Sequence, residues 1–176
     1  AEIIYRLGYS YEEPPVRNVP PKDYEKWASI CVHIIKHYND GWGDGYHYNI
    51  RYWEVWNEPD LTGGWNGTAE DYYELYEVTA RSVKAYDPSL KVGGPALCGE
   101  RWGGKINFLD DFLNYCKERE VPLDFISWHG YSPNNPYDIY SMSVWIRELL
   151  QTHGFQGVES LLTEWDMLPE PLMNTS

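Results

Sequence analysis

Short apolar runs and longer stretches with helical spacing alternate along this chain. Ile3 to Gly8 (IIYRLG) is β-branched and aromatic, the mark of a strand. Pro21 predicts the start of a helix, because the first helical position needs no N–H. Trp27, Ile30, Cys31, Ile34, Ile35 and Tyr38 then recur at helical spacing and form one apolar stripe. Arg51 to Trp56 (RYWEVW) reads as the second strand. Thr68-x-x-Asp71 matches a capping box, and it opens a helix striped by Tyr72, Leu75, Tyr76, Thr79, Val83 and Tyr86. Asp87-Pro88 stops that helix. Lys91 to Gly94 is a third strand, and Leu109, Phe112, Leu113 and Cys116 mark the helix after it. Phe125 to Trp128, a helix carrying Met142, Trp145, Ile146, Leu149 and Leu150, and Leu161 to Thr163 complete the series.

The predicted order β-α-β-α-β-α-β-α-β argues for a parallel sheet with helical crossovers. In such folds the loops that leave strands gather on the carboxyl face, where ligands bind. Here those loops are predicted at Tyr9–Pro20, Asn57–Gly67, Pro95–Lys105, His129–Pro136 and after Thr163. They carry Tyr9, Tyr11, Trp65, Trp102, Tyr131, Tyr137 and Trp165. The Asp40–Tyr48 stretch (DGWGDGYHY) is also aromatic, but the topology puts it on the opposite face, so its expected role is structural.

Composition sharpens this picture. With 27 acidic against 14 basic side chains the formal charge is −13, which argues against a nucleic-acid partner. The chain contains no run of about eighteen apolar residues, so no membrane span is expected, and its opening lacks the basic region of a signal peptide. Three cysteines without a CxxC spacing point to neither a disulfide framework nor a zinc site. The 9 Trp and 16 Tyr are a large complement, suited to stacking on sugars as well as to packing.

Two carboxylates are predicted at strand ends: Glu58 in Trp56-Asn57-Glu58-Pro59 and Glu164 in Leu162-Thr163-Glu164-Trp165. Desolvation disfavours an ionised group in such a place, and two of them together can divide into an acid and a base or nucleophile. Glycosidic-bond cleavage uses such a pair; a rim salt bridge is the competing reading. Glu54 shares a face with Glu58 but lies about 13 Å down the strand at ~3.3 Å per residue, so it is expected to be a paired barrel carboxylate. His33 and His37 have an i, i+4 spacing without the glutamate of a zinc helix, and are read as surface or packing residues. Gly93-Gly94-Pro95 permits close backbone approach. Asn66-Gly67-Thr68 and Asn174-Thr175-Ser176 fit the glycosylation sequon, although Thr68 already has a capping role.

The segments WEVWNEPDL, KVGGPA, DFISWHGY and LLTEW, in this order and spacing, resemble the glycoside hydrolase family 39 barrel of β-xylosidases and α-L-iduronidases. The resemblance implies an α/β fold, a partial (β/α)8 TIM barrel comprising strands three to seven with intervening helices. Residues 1–176 are then part of a single catalytic domain, without strands one, two and eight. It further implies that Glu58 is the general acid/base and Glu164 the nucleophile of a retaining double displacement, with the two carboxyls ~5–5.5 Å apart. By the same resemblance Asn57 bonds the sugar 2-hydroxyl, and Tyr131 and His129 belong to the substrate site, Tyr131 bonding the nucleophile; a satisfied core histidine at a strand end is the alternative for His129. Trp65 and Trp102 are candidate sugar platforms, with loop packing as the alternative. No cofactor or metal is implied, and the expected partner is an oligosaccharide or glycoside.

The text after Glu164 departs from the family's usual Asn/Ser-rich continuation. A neutral, β-xyloside-like substrate is the first expectation. An α-L-iduronidase-like activity is an alternative; Gly130-Tyr131-Ser132 lacks the basic residues that branch places there, but Arg101 and Lys105 occupy another rim loop. A carbohydrate-binding barrel without turnover is the other alternative.

Overall fold

The structure is a computed structural model that describes residues 2–8, 18–99, 103–132, 135 and 137–166. Five parallel strands, β1 (Ile4–Leu7), β2 (Tyr52–Val55), β3 (Lys91–Leu97), β4 (Phe125–Tyr131) and β5 (Glu159–Asp166), pair in sequence order. Helices α1 (Tyr24–Asp40), α2 (Ala69–Tyr86), α3 (Phe108–Glu118) and α4 (Tyr137–His153) connect them. The sheet curls into a half-barrel, a partial (β/α)8 arrangement. Tyr9, Tyr11, Arg101, Trp102 and the second sequon lie outside the described residues.

The sheet's two faces have opposite chemistry. Trp53, Val55, Val92 and Ile126 join a buried cluster with Tyr72, Tyr76, Phe112 and Leu113 of the helices. Much of the aromatic complement is spent in this core. Tyr72 donates to the Val55 carbonyl at 3.0 Å, Tyr73 to Phe108 at 2.9 Å and Tyr76 to Pro122 at 3.0 Å, so each ring fills the core while its hydroxyl satisfies a backbone acceptor. The inner face carries the charged and polar side chains, with Phe125 packed against Tyr52 among them. At its lower end Tyr52 donates to Glu159, which also pairs with Lys91. One layer up, Arg6 and Glu54 are register partners across β1 and β2.

Boundaries differ from the sequence expectation in ways that matter. The first helix starts at Tyr24 rather than Pro21, because the Asp23 side chain accepts from the Lys26 amide and supplies the N-cap. The predicted capping box at Thr68 is present with both of its hydrogen bonds. Strand β4 runs on through His129 to Tyr131, and β5 runs from Glu159 to Asp166, so Glu164 lies within a strand instead of at its end. The two extensions depend on each other, since every added β4 residue finds a β5 partner.

Glycines 93 and 94 do permit a close approach. A Cβ at Gly93 would meet the Phe125 carbonyl oxygen at 2.2 Å, and one at Gly94 the Tyr72 hydroxyl at 2.9 Å. The Asp40–Tyr48 stretch is packed by its own rings, Tyr46 stacking on Tyr48 at 4.7 Å and on Tyr38 at 5.9 Å.

Candidate active site

Glu58 follows β2 on a backbone that turns left-handed at Trp56 (φ 71°) and again at Glu58 (φ 46°). Such conformations are costly for residues with a Cβ and need outside support. The Glu58 amide donates to Ala96 at 3.1 Å, and the Trp56 indole to Gly64 at 2.8 Å. Gly64 packs so close that a Cβ there would lie 2.1 Å from the Glu58 carbonyl oxygen. Asp60, almost wholly buried, ties this loop to the next by accepting from the amides of Cys98 (3.1 Å) and Gly99 (2.7 Å). Burial raises its pKa, opposed by those amide donors. The sequence reading assigned Asp60 no role.

Glu164 is brought to the site by a β-bulge. Trp128 pairs with Leu162, but His129 pairs with Glu164, so Thr163 is an extra residue on β5. In strict alternation Glu164 would share the side of Leu162; the inserted residue turns it toward His129 instead.

One imidazole then lies between the two carboxylates. His129 Nδ1 lies 2.7 Å from Glu58 Oε1, and Nε2 lies 3.4 Å from Glu164 Oε1. The guanidinium of Arg6 reaches the same nitrogen at 3.4 Å, donates to Glu164 Oε1 at 2.7 Å and donates to Glu54 Oε2 at 2.6 Å. In a neutral ring Nδ1 therefore carries the proton given to Glu58, leaving Nε2 to accept from Arg6. Tyr131 donates to the other oxygen of Glu164 at 2.8 Å, the hydrogen bond the resemblance implies. Burial and this bond push the tyrosine pKa up, so the hydroxyl stays protonated. Burial alone would raise the Glu164 pKa, but the donors Tyr131 and Arg6 and the nearby His129 outweigh it and hold the carboxyl below its usual range.

Access separates the roles. The side chains of Glu58 and Glu164 are 21% and 33% exposed, whereas that of His129 is 0% exposed. His129 was expected among the substrate-binding residues, with a satisfied core histidine as the alternative; its ring is buried between the two carboxylates and does not meet solvent. Asn57 is buried, and its Oδ1 has no hydrogen-bond partner among the described residues. An unmet buried acceptor costs roughly 1–3 kcal/mol unless a partner arrives.

Trp65 is not a sugar platform in this structure. Its ring is 1% exposed, stands edge-on to Trp56 at 5.0 Å and donates to the Thr68 carbonyl at 2.7 Å. It packs beneath the loop that carries Glu58. Lys105 is also committed, its ammonium donating to Gly67 at 3.2 Å.

The sequence reading assigned no role to Arg6 either. A cation two residues before Gly8, inside an otherwise apolar strand, was the available signal. Glu54 is a paired carboxylate, as expected, and its partner is Arg6. Among the described residues no group of three or more His, Cys, Asp or Glu side chains is placed to hold a metal ion, and no helix is long and apolar enough to cross a membrane.

These features coincide with a sequence match. The family model for Glycosyl hydrolases family 39 matches residues 15–175, and the chain belongs to that family. It is 46% identical over 121 residues to a beta-xylosidase of Geobacillus stearothermophilus, a match covering 67% of this chain and 23% of that protein. A beta-xylosidase of Caldicellulosiruptor saccharolyticus is 37% identical over 115 residues, covering 64% and 22%. Among solved structures, a glucosidase from Croceicoccus marinus superposes with a TM-score of 0.84 at 35% identity, covering 95% of this chain and 35% of that one. The chain thus spans about a quarter of the length of the curated relatives it matches.

Proposed function

We propose that the protein is a retaining glycoside hydrolase of β-xylosidase type, in which Glu164 is the nucleophile and Glu58 the general acid/base. Residues 1–176 would supply strands three to seven of its barrel. The observation that carries this reading is the unequal treatment of two solvent-reachable carboxylates on one imidazole. Glu164 receives Tyr131 and Arg6, which favours its charged form. Glu58 is contacted by Nδ1 of His129, and it receives no guanidinium among the described residues.

One carboxylate oxygen of Glu164 attacks the anomeric carbon. The bond to the leaving oxygen breaks with its electron pair, and that oxygen takes the proton of Glu58. Water then attacks the anomeric carbon, gives its proton to Glu58 and releases Glu164. Asn57, by the family resemblance, would hydrogen-bond the sugar 2-hydroxyl. The names of the two beta-xylosidase relatives favour a neutral xyloside; the glucosidase neighbour makes a glucoside the first comparison.

The test is hydrolysis of aryl β-xyloside and aryl β-glucoside by the full-length protein beside Glu164→Ala, with the first-formed anomer read by proton NMR. Turnover with retention, lost on substitution, is expected. Binding of xylo-oligosaccharide without turnover would establish the non-catalytic alternative, and preference for a uronide the iduronidase-like one. The isolated 176-residue chain is expected to show little or no turnover.

A further inference from the structure

The site contains one charge relationship that two-carboxylate chemistry does not require. Arg6 is bound to two carboxylates at once, Glu54 at 2.6 Å and Glu164 at 2.7 Å. The Glu54 side chain is 2% exposed, against 33% for Glu164, so one partner is permanently enclosed and the other faces the pocket. The arrangement is fixed by topology: Arg6 and Glu54 are paired residues of β1 and β2, and Gly93 is the β3 residue paired with Glu54.

We propose that Arg6 and Glu54 are a positioning pair that balances the charge of Glu164 through the catalytic cycle, Glu54 retaining Arg6 when Glu164 becomes a glycosyl ester. This rests on the reading of Glu164 as nucleophile. In the resting site Glu54, Arg6 and Glu164 sum to one negative charge, next to where the sugar develops positive charge. When a Glu164 oxygen bonds to the anomeric carbon, its charge disappears as the leaving oxygen departs with the bond's electron pair and the Glu58 proton. Without Glu54, Arg6 would then be a half-buried cation beside a neutral ester, and an unpaired charge there is costly. With Glu54 the pair is neutral. When water takes the sugar, the electron pair returns to Glu164 and Arg6 again holds both carboxylates.

The other groups facing Glu164 are His129 and Tyr131 from β4, with Glu58 on the far nitrogen of His129 and Asp166 on the same strand as Glu164. None of these supplies a permanent positive charge; Arg6 does, and it acts on the acidic limb of the pH profile together with the Tyr131 hydrogen bond and His129.

The experiment compares Arg6→Met, Glu54→Gln and the double variant in the full-length protein. It follows kcat/KM against pH with an aryl β-xyloside, with circular dichroism melts to confirm folding. Arg6→Met leaves two like charges, so its acidic limb should move to higher pH and kcat/KM fall on the order of 10- to 100-fold, the loss of one hydrogen bond to a charged group. Glu54→Gln should move the limb to lower pH. The double variant restores the net charge of the resting site without the ion pair, and its limb should return toward that of the unsubstituted protein. Because it also leaves no unpaired buried charge, it remains informative if Arg6→Met does not fold.

Acidic limbs that coincide in all variants overturn the charge-balancing role, as does a double variant whose limb matches Arg6→Met. Glu164→Gly with azide separates this from the underlying reading. Rescue to an α-glycosyl azide together with unmoved limbs sinks the Arg6–Glu54 proposal alone. Undiminished turnover by Glu164→Gly without azide sinks the nucleophile assignment, and the proposal with it.

Discussion

The hydroxyl of Tyr131 donates to Glu164 Oε2 at 2.8 Å, across the point where the β-bulge at Thr163 resets the register of β4 and β5. This bond favours the carboxylate over the carboxylic acid. Tyr131→Phe removes it and leaves the ring in place. In the full-length protein kcat/KM is expected to fall on the order of 10- to 100-fold, with the acidic limb displaced to higher pH. An unchanged pH profile would show that the bond orients nothing.

His129 allows the two carboxylates to be perturbed separately. An asparagine amide can replace Nδ1 toward Glu58, and a glutamine amide can replace Nε2 toward Arg6, which in turn holds Glu164. His129→Asn should therefore spare the basic limb of kcat/KM, which reports the acid, and disturb the acidic limb. His129→Gln should do the reverse. Identical profiles for the two variants would mean that the ring acts only as filler.

Trp65 tests packing against sugar contact. Its buried ring supports the Glu58 loop, so Trp65→Ala should cost about 3–5 kcal/mol of stability. A lower Tm is expected before any change in KM at a temperature where the variant is folded. A raised KM with an unaltered melt would restore the platform reading.

Acid sensitivity of the fold should centre on Glu77, which joins α2 to α3. Burial alone would raise its pKa, but Arg119 (2.6 Å), Tyr115 (2.7 Å) and Arg81 (3.0 Å) together hold it below the ordinary carboxylate value. A carboxylate depressed in the folded state adds stability at pH values above its unfolded pKa. That contribution is lost as pH falls through the folded pKa. Glu77→Gln should lower the Tm near pH 7 and flatten its decline on acidification, as read from thermal melts at stepped pH. A decline as steep as before would move the acid-sensitive group elsewhere.

Short apolar runs and helical periodicity were enough to place strands and helices, because the central strands are buried on both faces while each helix buries one stripe. Register was not legible in this way. The bulge at Thr163 arises only where β5 meets β4, and nothing in Leu-Leu-Thr-Glu-Trp declares an extra residue. The same pairing carries β4 past Trp128 to Tyr131, which a run of buried apolar residues could not foretell, since His129 and Gly130 look like a loop.

Local sequence marked Glu58, Asn57, Tyr131 and Glu164 as candidates, through the text around each. It could not show that Arg6, 48 positions before Glu54 and 158 before Glu164, joins both. Nor could it show that His129 would be enclosed between the carboxylates, or that Trp65 would turn inward. The order of elements and the acidic residues at β2 and β5 are properties of the chain taken piece by piece. Which carboxylate is held charged depends on distance, burial and donor direction. Those quantities exist only once five strands lie side by side.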